Sequence, residues 1–132
     1  MDYTELVKKS LEFREKAYAP YSNFKVGAAV LMDDNKIYGG CNIENASYGA
    51  TNCAERTAIF NAVSKGNRKL KAIALVGDVS THTYPCGICR QVISEFSDKD
   101  TDIILVKNEN DYLIKKLDEI LPGAFTKNDL EK

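Results

Sequence analysis

The chain reads as an α/β protein: a three-layer α-β-α sandwich around a five-stranded mixed sheet. Three observations predict this. The opening residues repeat their apolar side chains at helical spacing. Two alternating segments joined by Asp33-Asp34-Asn35 have the form of a β-hairpin. Helical and strand patterns then alternate through the rest of the chain, an order that covers one sheet with helices on both faces.

Each element has its own signal. Asp2-x-x-Glu5 resembles a capping box, and Leu6, Val7, Ser10, Leu11, Arg14 and Tyr18 follow with helical spacing until Pro20 ends the helix. Lys25–Met32 predicts a strand with Val26, Ala28 and Val30 on one face, and Lys36–Cys41 its hairpin partner. A loop rich in Asn, Gly and Ser runs over 42–52. Cys53–Lys65 predicts a helix, with Ala54, Ala58, Ile59, Ala62 and Val63 apolar and Gly66 as its stop. Leu70–Gly77 contains five consecutive apolar residues, Ala72 to Val76, as a strand buried on both faces does. A loop carrying His82 and Pro85 leads to a helix over Gly87–Phe96. Strands over Asp102–Val106 and Tyr112–Leu117 complete the sheet, and a short tail with Phe125 follows Pro122.

At 132 residues the chain is expected to form one domain across 1–132. Hydrophobic residues make up 44% and charged residues 28%, which is ordinary for a soluble globular protein. The net charge of −1 argues against nucleic-acid binding, which favours a basic face. The densest basic stretch, Lys65, Arg68, Lys69 and Lys71, reads as a solvated helix end. No apolar run is long enough to span a membrane, and the charged N-terminus does not have the form of a signal peptide. Four cysteines without an export signal point to a reducing compartment, the cytoplasm, where metal binding or catalysis outranks disulfides.

The chemistry concentrates in Cys53-Ala54-Glu55 and Pro85-Cys86-Gly87-Ile88-Cys89. Three thiols and one carboxylate read as a catalytic Zn²⁺ site with an acid/base beside it. Three protein ligands leave a fourth position open, which separates a catalytic site from a closed structural one. Each thiol lies at a predicted helix start, where free N–H groups and partial positive charge favour thiolate. Cys86 and Cys89 are three apart and share one face of a turn. Three thiolates crowd negative charge on the metal, so Arg56 or Arg90 is expected to donate hydrogen bonds to sulfur, Arg56 more firmly. Glu55 is expected to take and return protons beside the metal's open position.

Two other readings stay open. Cys41 would close a non-catalytic, four-cysteine structural zinc module, although a Cys at a strand end is more often simply buried. Cys86-Gly87-Ile88-Cys89 also has the form of a thioredoxin-type redox pair, which leaves Cys53-Ala54-Glu55 unexplained. His82, the single histidine, reads as a loop residue that a three-cysteine site does not need.

The Cys-x-Glu and Pro-Cys-x-x-Cys pattern is a known signature of zinc nucleobase deaminases. The chain resembles the small homotetrameric, zinc-dependent cytidine deaminases through further segments: Ala19-Pro20-Tyr21-Ser22-Asn23-Phe24, Val26-Gly27-Ala28-Ala29, Gly40-Cys41-Asn42-Ile43-Glu44-Asn45-Ala46 and Leu121-Pro122-Gly123-Ala124-Phe125. The resemblance implies hydrolytic deamination of cytidine and 2′-deoxycytidine in pyrimidine salvage, with free nucleosides as substrates. It implies Cys53, Cys86 and Cys89 as zinc ligands and Glu55 as the proton shuttle. It implies that Phe24 packs on the pyrimidine, that Asn42 and Glu44 hold the ribose hydroxyls, and that Ala54 offers its N–H to the base carbonyl. Arg56 offsets thiolate charge. Tyr48 and Phe125 match positions that complete a neighbouring subunit's pocket. A blasticidin-type antibiotic deaminase shares the three-cysteine pattern, but the Asn42/Glu44 loop and the Phe125 tail favour cytidine.

Overall fold

The computed structural model describes residues 2–130, so positions 1, 131 and 132 of the expected domain lie outside the described residues. Five strands form one sheet: β1 (Gly27–Met32), β2 (Ile37–Cys41), β3 (Leu70–Val76), β4 (Asp102–Asn108) and β5 (Asp111–Lys115). Their order is β2-β1-β3-β4-β5. Only β3 and β4 run parallel, and the other neighbours are antiparallel, so the sheet is mixed as expected.

Helix α1 (Thr4–Arg14) covers one face, where Tyr3, Leu6 and Val7 pack on Ala29, Ala74, Val76 and Ile104. Helices α2 (Ala54–Ser64) and α3 (Gly87–Phe96) cover the other, where Ala58, Ile59 and Ile93 meet Val30, Ile73, Leu75 and Leu105. That gives the three layers. In β3 every residue but Lys71 is buried, because its two faces serve the two cores. Each buried Val, Leu or Ile adds roughly 1.5–3 kcal/mol of apolar burial, so the central strands anchor the whole arrangement.

Two glycines let the helices sit directly on the sheet. A Cβ on Gly27 would collide with Ser10 O and the Arg14 backbone of α1, and one on Gly40 with the Ala58 backbone of α2. The second contact fixes the height of α2, and so of the cysteine that precedes it.

The ends of elements differ from the sequence expectation for local reasons. Asp2 Oδ1 accepts the Thr4 N–H at 2.9 Å in an Asx turn, and the N-cap position falls to Tyr3 with no side-chain cap, so no capping box forms between Asp2 and Glu5. The helix stops at Arg14 instead of running to Tyr18. Tyr18 N–H donates to Asn42 O at 3.0 Å, and Glu44 N–H to Tyr18 O at 2.9 Å. Backbone pairing with the 42–44 segment thus replaces the last helical turn. The final strand ends at Lys115 because Glu119 Oε1 takes the Lys116 N–H at 2.9 Å and starts a short helix, α4 (Leu117–Ile120). A further turn of helix, α5 (Lys127–Leu130), has no counterpart in the sequence signals. Among the described residues no helix is long and apolar enough to cross a membrane.

Candidate metal centre and active site

Cys53 immediately precedes α2, Cys86 immediately precedes α3, and Cys89 lies in the first turn of α3. The two helix starts converge, and the three Sγ atoms lie within 4.8 Å of one another. Cys53 Sγ and Cys86 Sγ are 3.8 Å apart. Tetrahedral zinc with Zn–S bonds of about 2.3 Å holds its sulfurs about 3.8 Å apart, so this donor set fits Zn²⁺.

Cys41 does not join them. Its thiol donates to Lys16 O at 3.4 Å, and it is half-buried. The four-cysteine reading therefore has no fourth sulfur. His82 pairs through Nε2 with Asp111 Oδ1 at 2.9 Å, as a loop residue. The redox reading accounts for neither the third sulfur nor the buried acid beside it.

The charge environment follows from these contacts. The Cys53 thiol is lowered to about 5, first by the hydrogen bond from the Cys89 thiol, then by those from Arg56 and Cys86, against the opposing effect of burial. Arg56 Nη2 donates to Cys53 Sγ at 3.4 Å. Cys89 moves the other way: it donates to Cys53, is buried, and faces the Glu55 charge, so its thiol is raised. Metal binding displaces such thiol protons. Arg90 behaves differently from Arg56. Its guanidinium donates to Pro85 O at 2.8 Å and Ile120 O at 2.5 Å, not to sulfur. Both arginines stand about one turn from a helix-start cysteine, Arg56 three residues after Cys53 and Arg90 four after Cys86, but Arg90 is drawn to the Pro85 and Ile120 carbonyls instead.

Glu55, in the first turn of α2, is only 4% exposed. Burial raises its carboxyl to about 7, and the nearby Cys53 thiolate adds to the rise. Such a group can both take and give a proton near neutral pH.

Glu55 and Cys53 border a cavity of about 250 Å³, whose walls include Phe24, Asn42, Glu44 and Ala54. Cys86 borders it too, so seven residues singled out from the sequence meet in one place. Phe24 is half-exposed there as a flat wall. Ala54, the first residue of α2, has a backbone N–H without a partner inside the helix. Asn42 is buried, and its amide is engaged at both ends: Oδ1 accepts from Val26 N–H and Nδ2 donates to Phe24 O, each at 2.8 Å. Glu44 Oε1 accepts from Tyr21 N–H at 2.9 Å and Ser22 N–H at 3.1 Å, and Oε2 accepts from the Ser22 hydroxyl. The Ser22 hydroxyl foremost holds the Glu44 carboxyl below its ordinary value. Asn42 and Glu44 therefore also build the 21–26 segment.

Tyr48 and Phe125 do not enter this cavity. Both are exposed, at 76% and 61%. Tyr48 lines an adjoining hollow of about 350 Å³ with Tyr21, Ser22, Glu44 and Thr51, its ring 6.2 Å from that of Tyr21. The Phe125 carbonyl accepts from Gln91 Nε2 at 2.7 Å. Five further residues, Ser22, Val26, Thr51, Thr83 and Tyr84, border the thiol cavity without having been singled out as site residues. Ser22 stands inside the Ala19–Phe24 motif, and Thr83-Tyr84 directly precedes Pro85, so adjacency was the available signal.

Comparison with known proteins agrees with this geometry. The family profile described as "Cytidine and deoxycytidylate deaminase zinc-binding region" matches residues 1–105. The chain is 51% identical to the cytidine deaminase of Sporosarcina psychrophila over 130 residues, 98% of this chain and 96% of that protein. It is also 51% identical to that of Halalkalibacterium halodurans, over 98% of each. Its fold superposes on the crystal structure of cytidine deaminase from Burkholderia pseudomallei with a TM-score of 0.88 and 46% identity, covering 95% of this chain and 100% of that one. For the enzyme from Mycobacterium tuberculosis the TM-score is 0.83 at 38% identity, covering 95% and 98%. With a matching profile over most of its length, full-length relatives and a shared fold, the chain belongs to the cytidine and deoxycytidylate deaminase family.

Proposed function

We propose that this chain hydrolyses the exocyclic amine of cytidine and 2′-deoxycytidine, giving uridine or 2′-deoxyuridine and ammonia. The observation that carries this is the buried Glu55 carboxyl, raised to about 7, beside three convergent sulfurs on the wall of a cavity. Cys53, Cys86 and Cys89 hold the metal. Bound Zn²⁺ supplies Lewis acidity and an activated water. Arg56 draws charge from the Cys53 thiolate. Glu55 takes the proton of the attacking water, delivers it to N3, and later passes a proton to the departing amine. Ala54 N–H meets the base carbonyl and Phe24 covers the ring. Asn42 and Glu44 hold the sugar. A carboxylate at that position repels phosphate, so free nucleosides are preferred over nucleotides and nucleic acid.

The same reading gives Tyr48 and Phe125 a role. Each is a large exposed aromatic outside its own chain's thiol cavity, which suits a homotetramer whose neighbouring subunits complete one another's pockets. Four free thiols suit a reducing compartment, and we place the protein in the cytoplasm, in pyrimidine salvage.

The test is a substrate panel followed by ultraviolet absorbance: cytidine, 2′-deoxycytidine and cytidine 5′-monophosphate. Both nucleosides should be turned over, with the monophosphate at least about tenfold poorer, the effect of roughly 1.4 kcal/mol of charge repulsion. Turnover of a blasticidin-type nucleoside with none of cytidine would reassign the substrate. Sedimentation of an active monomer would contradict the shared pockets.

A further inference from the structure

We infer that Ser22 is a positioning residue for nucleoside binding, its hydroxyl joining Glu44 and Phe24 into one sugar-and-base surface. This rests on the roles proposed above for Glu44 and Phe24.

A serine hydroxyl carries one hydrogen and two acceptor sites. An ionised carboxylate can only accept, so the Ser22 hydrogen goes to Glu44 Oε2. That leaves the Ser22 oxygen free to accept the Phe24 N–H, at 3.0 Å. One side chain thus fixes the acid proposed to hold the sugar and the backbone of the ring proposed to cover the base. The arrangement closes from the other side as well. Asn42 Nδ2 donates to Phe24 O at 2.8 Å, so the Phe24 backbone is held at both its N–H and its carbonyl. Asn23 between them sits at φ 58°, in the left-handed region that asparagine tolerates, and its N–H returns to Ala19 O at 3.1 Å. The turn is tight, and Ser22, Phe24, Asn42 and Glu44 all border the cavity that contains Glu55.

Ser22 itself is exposed and packs into neither core. Substitution at such a position changes stability little, so its contacts point to ligand placement more than to folding. Alanine would leave Glu44 with its two backbone donors but free Oε2 to turn, and would strip Phe24 N–H of its acceptor. Threonine keeps the hydroxyl.

The experiment measures steady-state kinetics of zinc-loaded wild type, Ser22→Ala and Ser22→Thr with cytidine and with 2′,3′-dideoxycytidine. For Ser22→Ala, KM for cytidine should rise about tenfold, as loss of a hydrogen bond to a charged group does, with kcat held within about twofold. Ser22→Thr should return KM to within about threefold of wild type, the range of an ordinary neutral contact. Dideoxycytidine lacks the sugar hydroxyls that Glu44 would hold, so its KM should rise several-fold less than that of cytidine. The thermal midpoint should not move. An unchanged KM for cytidine in Ser22→Ala overturns the inference. So does an equal rise for both substrates together with a lowered midpoint, which would mark a merely structural serine. If wild type turns over neither nucleoside, the reading of the site fails and the inference falls with it.

Discussion

Arg56 reaches back one helical turn to donate to Cys53 Sγ at 3.4 Å, while the neighbouring arginine of the other thiol helix, Arg90, donates to two backbone carbonyls. The two arginines look equivalent when read along the chain. Helix spacing alone does not separate them, since Arg90 stands four residues after Cys86; the Pro85 and Ile120 carbonyls do, by taking the Arg90 guanidinium. The Arg56 Nε is buried and has no hydrogen-bond partner among the described residues, so the side chain's contact at this site is the Nη2 bond to Cys53 Sγ.

Replacing Arg56 with Gln should therefore weaken the centre. The variant keeps a polar side chain but loses the cation that stabilises the Cys53 thiolate. Loss of such a supporting group typically costs about 10–100-fold in metal affinity or activity. Competition with a chromophoric chelator, run beside kcat at saturating zinc, reads both. Wild-type values for each would remove Arg56 from the site.

Glu55→Gln is nearly isosteric and should fold, because the side chain is buried and the amide occupies the same volume. It should retain zinc and lose about 10²–10⁴-fold in turnover, the range expected for a positioned acid/base. Metal analysis and cytidine kinetics on the same sample check this. A variant that keeps near-wild-type turnover would assign proton transfer elsewhere.

The four cysteines should divide three against one. Cys86→Ala takes a sulfur out of a group whose members lie within 4.8 Å of one another and should release the metal. Cys41→Ser changes a thiol bonded to Lys16 O and should leave metal content unchanged. Zinc loss in Cys41→Ser, with retention in Cys86→Ala, would reverse the assignment.

Most of the fold was legible because its signals were local. The Ala72–Val76 run reads as a strand buried on both faces, and β3 is one. Gly66 stops α2, and Cys53 and Cys86 stand at the helix starts that the pattern predicts. What was not legible depended on contacts distant in sequence. Tyr18 leaves the helical pattern because the 42–44 backbone captures it. Leu117 leaves the strand pattern because Glu119, two residues on, caps a new turn. The same holds in the site. Cys53, Glu55 and the Cys-x-x-Cys stand out through their spacing. Ser22 does not, since a serine in a loop has no pattern of its own until Glu44 and Phe24 are folded against it.

The alkaline limb of stability should depend on Tyr3. This residue is buried, and its hydroxyl donates to Asp102. Burial, then the hydrogen bond and the Asp102 charge, push the phenol from 10.0 up to about 12. A group whose folded pKa lies above its unfolded value contributes fully below the unfolded pKa. Its contribution is then lost as pH rises from 10.0 toward about 12. Denaturant midpoints measured between neutral pH and the alkaline range should fall more steeply in wild type than in Tyr3→Phe. Parallel curves would mean that Tyr3 ionises equally in both states.

One preparation, assayed both for zinc per chain and for conversion of cytidine to uridine and ammonia, decides whether the thiol cavity is a zinc deaminase site. We predict one zinc per chain, turnover that disappears when a chelator removes the metal, and turnover that returns when zinc is restored. Cytidine turnover persisting in metal-free protein, or a fully zinc-loaded protein that leaves cytidine untouched, would contradict it.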